Sequence, residues 1–179
     1  AFVQEEAGVV AGDLGVDAAG LVFGGRSMGG RICSMAVAEG MPAVGLVLIS
    51  YPLHPPGKPE KLRTEHLPAL DLPCLFISGT KDPFGTPDEF AEALALIPGP
   101  VSTVWLEGGR HDLKGKDDAI VAAVQDGPDA RLTHLAGGSD DGDGHLEGQD
   151  GDELLDVGVV HADAAVAELG ADGGVVVGA

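Results

Sequence analysis

Short apolar runs alternate with amphipathic stretches through the first 126 residues of the chain. The first of these runs, residues 20–23, is bounded by glycines, as is typical of a strand buried on both faces of a sheet. The stretches between the apolar runs carry apolar side chains at helical spacing, which predicts helices. The predicted strands are residues 20–23, 44–50, 74–78 and 101–106, and the predicted helices are residues 2–14, 28–39, 86–97 and 117–125. Strands that alternate with helices form a parallel sheet with flanking helices, so the predicted fold class is α/β.

Two connections carry clear local signals. Thr86, Pro87 and Glu89 combine a capping hydroxyl, a proline at the first helical position and the carboxylate of a capping box, so a helix should begin there. Five of the 12 prolines fall within residues 51–72, which therefore should form a loop with at most one short helical turn.

The composition changes after residue 126. Residues 127–179 hold 12 acidic residues against one basic residue, 12 of the 29 glycines and no aromatic residue. Such a segment buries little apolar surface to offset the entropy lost on ordering. We therefore divide the chain into a partial α/β domain, residues 1–126, and a Gly/Asp/Val-rich acidic tail, residues 127–179, that is disordered or poorly packed. A calcium-binding repeat and a small strand–helix unit are the alternatives, but residues 139–144 do not recur at a regular period.

Charge and hydropathy limit the partners of this chain. The net charge of -19 argues against nucleic acid and against anionic lipid headgroups, because both are bound through Lys and Arg. The longest apolar runs, such as residues 44–49, are too short to cross a bilayer. Cys33 and Cys74 both lie in apolar stretches, which favours two buried thiols in a reducing compartment, the cytoplasm, over a disulfide.

A candidate nucleophile lies at the turn between the first strand and the next helix. Residues 25–29 read Gly-Arg-Ser-Met-Gly and match the pattern G-x-S-x-G of a nucleophile elbow. Gly25 and Gly29 flank the serine, where so sharp a turn leaves room only for minimal side chains. The turn would raise the Ser27 hydroxyl above the sheet edge and place the Met28 N–H, at a helix N-terminus, near a developing oxyanion. An ordinary glycine-rich turn is the alternative.

The acid and the base that such a serine needs follow it in the required order, Asp or Glu and then His. Asp82 comes four residues after the third predicted strand and His111 five residues after the fourth, so both belong to the carboxyl edge of the sheet. Asp88 is the competing acid, but its position in a first helical turn is explained by the helix dipole. His54 and His66 precede the acid and are in the wrong order. A turn-forming aspartate and an exposed loop histidine are the alternatives.

Five segments together resemble one protein family. They are residues 25–30, 51–63, 66–68, 76–85 and 108–113. In combination they resemble the branch of the α/β-hydrolase superfamily related to dienelactone hydrolases, which also contains testis-expressed proteins and a subunit of a nuclear acetyltransferase complex. The resemblance covers residues 1–126 and implies that Ser27, Asp82 and His111 are the nucleophile, the acid and the base.

The chain also departs from that family pattern, in which several strands precede the elbow, because Ser27 lies close to its start. We therefore expect an N-terminally truncated fragment that holds the C-terminal half of an α/β-hydrolase parallel sheet, lacks one oxyanion donor, and is reduced in stability and activity. Residues 51–72 follow the second strand at the same edge, so Tyr51 and His54 line a substrate entrance or belong to a merely structural loop. Arg26 meets an anionic substrate or lies at the surface.

Two classes of function are compatible with these residues. The first is a serine hydrolase that acts on an ester or related small-molecule acyl substrate through an acyl-enzyme, with no metal or organic cofactor. The second is a non-catalytic α/β-hydrolase-fold module that binds a partner. The complete set of nucleophile, acid and base in the correct order favours the first. The histidines of the acidic tail, His134, His145 and His161, lack metal-ligand spacing, and no metal site is predicted.

Overall fold

A computed structural model of the chain describes residues 20–125, 157–161, 167–169 and 174–176. The helix predicted for residues 2–14 lies outside the described residues, and so does most of the predicted acidic tail. The division of the chain at residue 126 therefore stays a prediction. Within the described residues, no helix is both long enough and apolar enough to span a membrane.

Strands and helices alternate through residues 20–125 as the hydrophobic pattern predicts. In chain order they are β1 (Leu21–Arg26), α1 (Met28–Ala38), β2 (Gly45–Ile49), β3 (Cys74–Gly79), α2 (Pro87–Leu94), β4 (Val101–Leu106) and α3 (Asp117–Gln125). Helix α2 is shorter than predicted, because after it the Leu96 and Ile97 N–H groups donate to carbonyls three residues back, at 3.2 and 3.1 Å. Pro98 disfavours helical geometry at Ile97, the residue before it, and so limits how far a helix could continue.

Both predicted connections are confirmed. Thr86 and Glu89 form the reciprocal capping box, in which the Thr86 N–H donates to Glu89 Oε2 at 2.8 Å and the Glu89 N–H donates to Thr86 Oγ1 at 3.4 Å. Residues 51–72 contain one 3₁₀ turn, Leu67–Ala69, within an otherwise irregular loop. This loop is closed by its own contacts, since the Tyr51 hydroxyl donates to the Arg63 carbonyl at 2.7 Å.

The four strands β1 to β4 form a parallel sheet in the spatial order β4-β3-β2-β1. On the side away from β2, the backbone of β1 pairs antiparallel with that of β5 (Val157–His161). Two further strands, β6 (Ala167–Leu169) and β7 (Gly174–Val176), form a separate antiparallel pair. Because β1 to β4 are parallel, the segments that leave them begin at the same sheet edge.

Successive strand residues point to opposite faces of the sheet, so a core forms on each face. Phe23 and Phe76 pack on one face with α1, α2 and the loop 51–72, whereas Val22 and Ile77 pack on the other face with α3. Both cysteines are free and buried, as predicted: Cys33 lies in α1 and Cys74 in β3. Burial raises the pKa of each thiol to about 12.

Candidate active site

Ser27 lies at the sharp turn between β1 and α1 with φ 50° and ψ −120°. A non-glycine residue held in such a sparsely populated region costs about 1–3 kcal/mol. Two backbone hydrogen bonds hold it there: its N–H donates to the Ile49 carbonyl at 2.8 Å, and its carbonyl accepts from the Arg31 N–H at 3.2 Å. The strand, the strained residue and the helix are the parts that a nucleophile elbow requires.

Gly30 is the glycine whose role at this turn is clearest in the structure. A Cβ on Gly30 would lie 2.5 Å from the Gly25 carbonyl oxygen and 3.3 Å from Leu48 Cδ2, so α1 could not begin so close to β1. Of the two glycines of the pattern, Gly25 lies in β1 and Gly29 is buried in the first turn of α1. Gly30 lies outside the G-x-S-x-G pattern, and its only signal in the sequence was a second glycine in tandem.

The three side chains predicted as nucleophile, acid and base lie in one hydrogen-bonded chain. Ser27 Oγ is 2.8 Å from His111 Nε2, and His111 Nδ1 is 2.8 Å from Asp82 Oδ2 and 3.0 Å from Oδ1. A carboxylate only accepts, so the proton of the neutral imidazole belongs on Nδ1, and Nε2 is left to accept from the Ser27 hydroxyl. The Asp82 side chain is 2% exposed and that of His111 24%. This arrangement can take up the hydroxyl proton as the serine oxygen attacks an electrophile.

The loops that carry Asp82 and His111 are joined to each other. The Lys81 N–H donates to the Gly109 carbonyl at 2.9 Å, and the Gly108 N–H donates to Thr80 Oγ1 at 2.9 Å. The backbones approach so closely because Gly79 and Gly109 have no side chains at the contact. The relative position of the acid and the base is therefore set by direct contact between their loops.

Two further predicted residues, Met28 and Arg26, flank the serine. Met28 is the first residue of α1, where backbone N–H groups lack partners within the helix. Arg26 Nη1 donates to the carbonyl of Asp112 at 2.9 Å. This bond uses the guanidinium to join the elbow to the histidine loop, so it favours a structural role for Arg26 over substrate contact.

Tyr51 and His54 lie inside the protein, with 1% and 5% of their surfaces exposed. His54 Nδ1 lies 2.9 Å from the Pro55 carbonyl and its Nε2 3.3 Å from Glu89 Oε2. The N–H and hydroxyl of Thr86, together with His54, hold the pKa of the Glu89 carboxyl below its usual range. The entrance role considered for Tyr51 and His54 is not supported by these contacts, which favour the alternative of a structural loop.

A second serine–histidine pair is present in the structure, but its chemistry differs. Ser34 Oγ is 2.8 Å from His66 Nε2, and it also donates to the Arg31 carbonyl at 2.8 Å. Since the hydroxyl proton is engaged by that carbonyl, Nε2 must be the donor to the serine oxygen, and His66 does not act as a base towards Ser34. Burial and the Arg31 charge lower the pKa of His66. The sequence excluded His66 by chain order, and the hydrogen bonds supply the physical reason.

Metal-binding side chains do not cluster in the described part of the chain. Within it, no group of three His, Cys, Asp or Glu side chains gathers as a ligand set. His54 and His111 each face a single carboxylate, those of Glu89 and Asp82. Structural zinc sites take four protein ligands and catalytic ones three.

The chain is similar to several solved structures. Among solved structures, the chain is similar to an alpha-beta serine hydrolase homologue from Coxiella burnetii, with 18% identity, a TM-score of 0.45, and coverage of 57% of this chain and 47% of that one. It is similar to the esterase domain of a Rhodothermus marinus protein, with 16% identity, a TM-score of 0.47, and coverage of 59% and 58%. It is also similar to a dienelactone hydrolase from Anabaena variabilis, with 24% identity, a TM-score of 0.44, and coverage of 58% and 44%.

The chain spans about half the length of these structures. Residues 2–124 match the sequence family described as alpha/beta hydrolase domain, which is well over half of the 179 residues. The parallel order of β1 to β4 and the strand–serine–helix turn agree with that match. This chain belongs to the α/β-hydrolase domain family.

Proposed function

We propose that this protein is a serine hydrolase that cleaves an ester or related acyl bond of a small molecule. Ser27 is the nucleophile, His111 the base and Asp82 the acid that orients it. The observation that carries the proposal is the chain of 2.8 Å hydrogen bonds from the Ser27 hydroxyl through the imidazole to a buried carboxylate. Membership in the α/β-hydrolase family supports the same reaction class.

In the proposed reaction, Ser27 Oγ attacks the acyl carbon while its proton passes to His111 Nε2. The bond from the acyl carbon to the leaving oxygen then breaks, and His111 returns the proton to that oxygen. Water attacks the acyl-enzyme with the same base, which releases the carboxylic acid and restores the hydroxyl. Asp82 accepts from His111 Nδ1 throughout and stabilises the imidazolium. Both steps use only side chains and water, so the proposal includes no metal or organic cofactor.

The Met28 N–H is the proposed donor to the oxyanion of the tetrahedral intermediate. It follows the nucleophile directly and lies at the N-terminus of α1, where the helix dipole favours negative charge. Removal of one such donor from a hydrolase lowers turnover about 10²–10³-fold. The Ser27 oxygen and the Met28 N–H are adjacent in the chain, so the same turn positions both.

A fluorophosphonate probe tests the proposal, because it phosphonylates an activated serine with loss of fluoride. We expect Ser27 to be labelled, Ser27→Ala to abolish labelling, and Asp82→Asn to slow it by about 10³-fold or more, because the histidine tautomer is lost. Ser34→Ala is the matched control, since Ser34 is fully buried and its hydroxyl donates to the Arg31 carbonyl. That variant should label at the wild-type rate.

Folding is checked in parallel by near-ultraviolet circular dichroism and by a cooperative melt. A folded wild-type chain that does not label at Ser27 contradicts the enzyme proposal and supports the non-catalytic binding module. Labelling that persists in Ser27→Ala also contradicts it, because another residue would then be the nucleophile.

A further inference from the structure

The aromatic ring of Phe84 lies flat against the imidazole of His111. The two ring centroids are 3.9 Å apart and the planes are inclined by 27°. The edge of the same imidazole is engaged by Asp82 at Nδ1 and by Ser27 at Nε2. The histidine is therefore held by two hydrogen bonds at its edge and by one aromatic face, and the mechanism above gives that face no role.

The backbone of Phe84 is fixed independently of its side chain. Its N–H donates to Asp82 Oδ1 at 2.9 Å, and its carbonyl accepts from the His54 N–H at 3.0 Å. The first bond orients the carboxylate, and the second joins this loop to the loop 51–72. A substitution at residue 84 keeps both bonds, so it changes the ring while leaving the loop in place.

We propose that Phe84 is a positioning residue that holds the His111 ring in plane and favours its protonated form; this inference rests on the proposed hydrolase function. The face of an aromatic ring carries negative charge and attracts a cation placed over it. Neutral imidazole gains less from that face than imidazolium does. The ring should therefore stabilise the transition state, in which His111 has taken the Ser27 proton.

The effect of the ring can be separated from the effects of neighbouring charges. The imidazole contacts the Asp82 carboxylate and the Ser27 hydroxyl. The charged residues next to His111 in the chain are Arg110 and Asp112, and Arg26 donates to the Asp112 carbonyl. None of them changes when Phe84 is replaced. Leucine retains much of the bulk that shields the imidazole from water but has no aromatic face.

Proton NMR titration of His111 in the full chain tests the inference without relying on activity. The His111 resonance is assigned by its loss in His111→Ala. We expect Phe84→Leu to move the titration midpoint to lower pH by about 0.5 unit, which corresponds to a cation–π interaction of modest strength. The same variant should label with the fluorophosphonate about two- to fivefold more slowly. Phe84→Tyr retains the aromatic face, so its titration midpoint and its labelling rate should both equal those of the wild type.

Phe90→Leu is the matched control for loss of an aromatic ring. Phe90 packs edge-on against Trp105, with ring centroids 5.4 Å apart, and against Phe76 at 6.1 Å. The Phe90→Leu substitution should lower the melting temperature, because it creates a cavity in the core. It should leave the titration midpoint of His111 unchanged.

An unchanged midpoint in Phe84→Leu, or an equal shift in Phe90→Leu, would overturn the inference. A folded wild-type chain that does not react with the fluorophosphonate probe contradicts the hydrolase proposal instead. The NMR titration still decides in that case whether the Phe84 ring acts on the imidazole.

Discussion

Replacement of Gly79 by alanine tests whether the acid and base loops must approach as closely as they do. Gly79 ends β3, and Gly109 lies against it in the loop that leads to His111. A Cβ on Gly79 would lie 2.9 Å from Gly109 Cα and nearer still to its carbonyl group, whereas Cβ atoms keep at least 3.0 Å from such neighbours. Both obstacles are backbone atoms, so no side-chain rotation relieves the overlap.

The two loops must instead separate, and the catalytic distances lengthen with them. A displacement of about 1 Å would stretch the His111–Ser27 bond from 2.8 Å to about 3.8 Å, beyond hydrogen-bond range. Misplacement by 1 Å can cost about 10²-fold in rate, and overpacking costs about 1–3 kcal/mol of stability. We therefore expect Gly79→Ala to fold with a lower melting temperature and to label about 100-fold more slowly.

The assay compares the second-order rate constants for fluorophosphonate labelling of the wild type and of three variants, each with one glycine replaced by alanine. A Cβ on Gly20 meets nothing within 4 Å, so Gly20→Ala is the control and should label like the wild type. A Cβ on Gly109 has a milder overlap, 2.9 Å from Leu113 Cδ2 and 3.0 Å from the Leu106 carbonyl, so Gly109→Ala should be intermediate. A folded Gly79→Ala variant that labels within threefold of the wild-type rate would refute the reasoning. Slower labelling of Gly109→Ala than of Gly79→Ala would also refute it.

Two further predictions concern ionisable groups in the interior. Burial lowers the pKa of His66 below its usual 6.5. As the pH falls below 6.5, the imidazole therefore takes up a proton more readily in the unfolded chain than in the folded chain. The free energy of unfolding should then decrease with falling pH. His66→Gln should reduce the slope of melting temperature against pH on the acid side. An unchanged slope would mean that other groups cause the loss of stability at acid pH. Burial raises the pKa of Cys33 and Cys74 to about 12, so iodoacetamide at neutral pH should modify neither thiol before unfolding and both afterwards. Rapid alkylation of the folded chain would contradict their burial.

Much of the fold could be predicted because its signals are local. The strands of the parallel sheet coincide with short, largely apolar runs, and the start of α2 is encoded by the capping box of Thr86 and Glu89. The end of α2 was predicted a few residues too late, since apolar spacing continues past Leu94 while the backbone has already changed to tighter turns. Periodicity reports where side chains point and is less sensitive to hydrogen-bond geometry.

The candidate site was only partly predictable. Ser27, Asp82 and His111 could be named from a motif and from chain order, and the structure brings them together. Tyr51 and His54 could not be assigned, because their burial depends on how the loop 51–72 closes against α2 and the sheet. The face of Phe84 on the imidazole had no sequence signal at all.

The sequence by itself determined the alternation of strands and helices and the order of nucleophile, acid and base. These properties depend on side-chain period, capping and turn chemistry, which act over a few residues. Only the tertiary structure decided which of two serine–histidine pairs has the free acceptor nitrogen, since both have the same 2.8 Å separation. That difference arises because packing brings His111 to the carboxylate of Asp82, whereas it brings His66 to Ser34, whose hydroxyl already donates to the Arg31 carbonyl in the same helix.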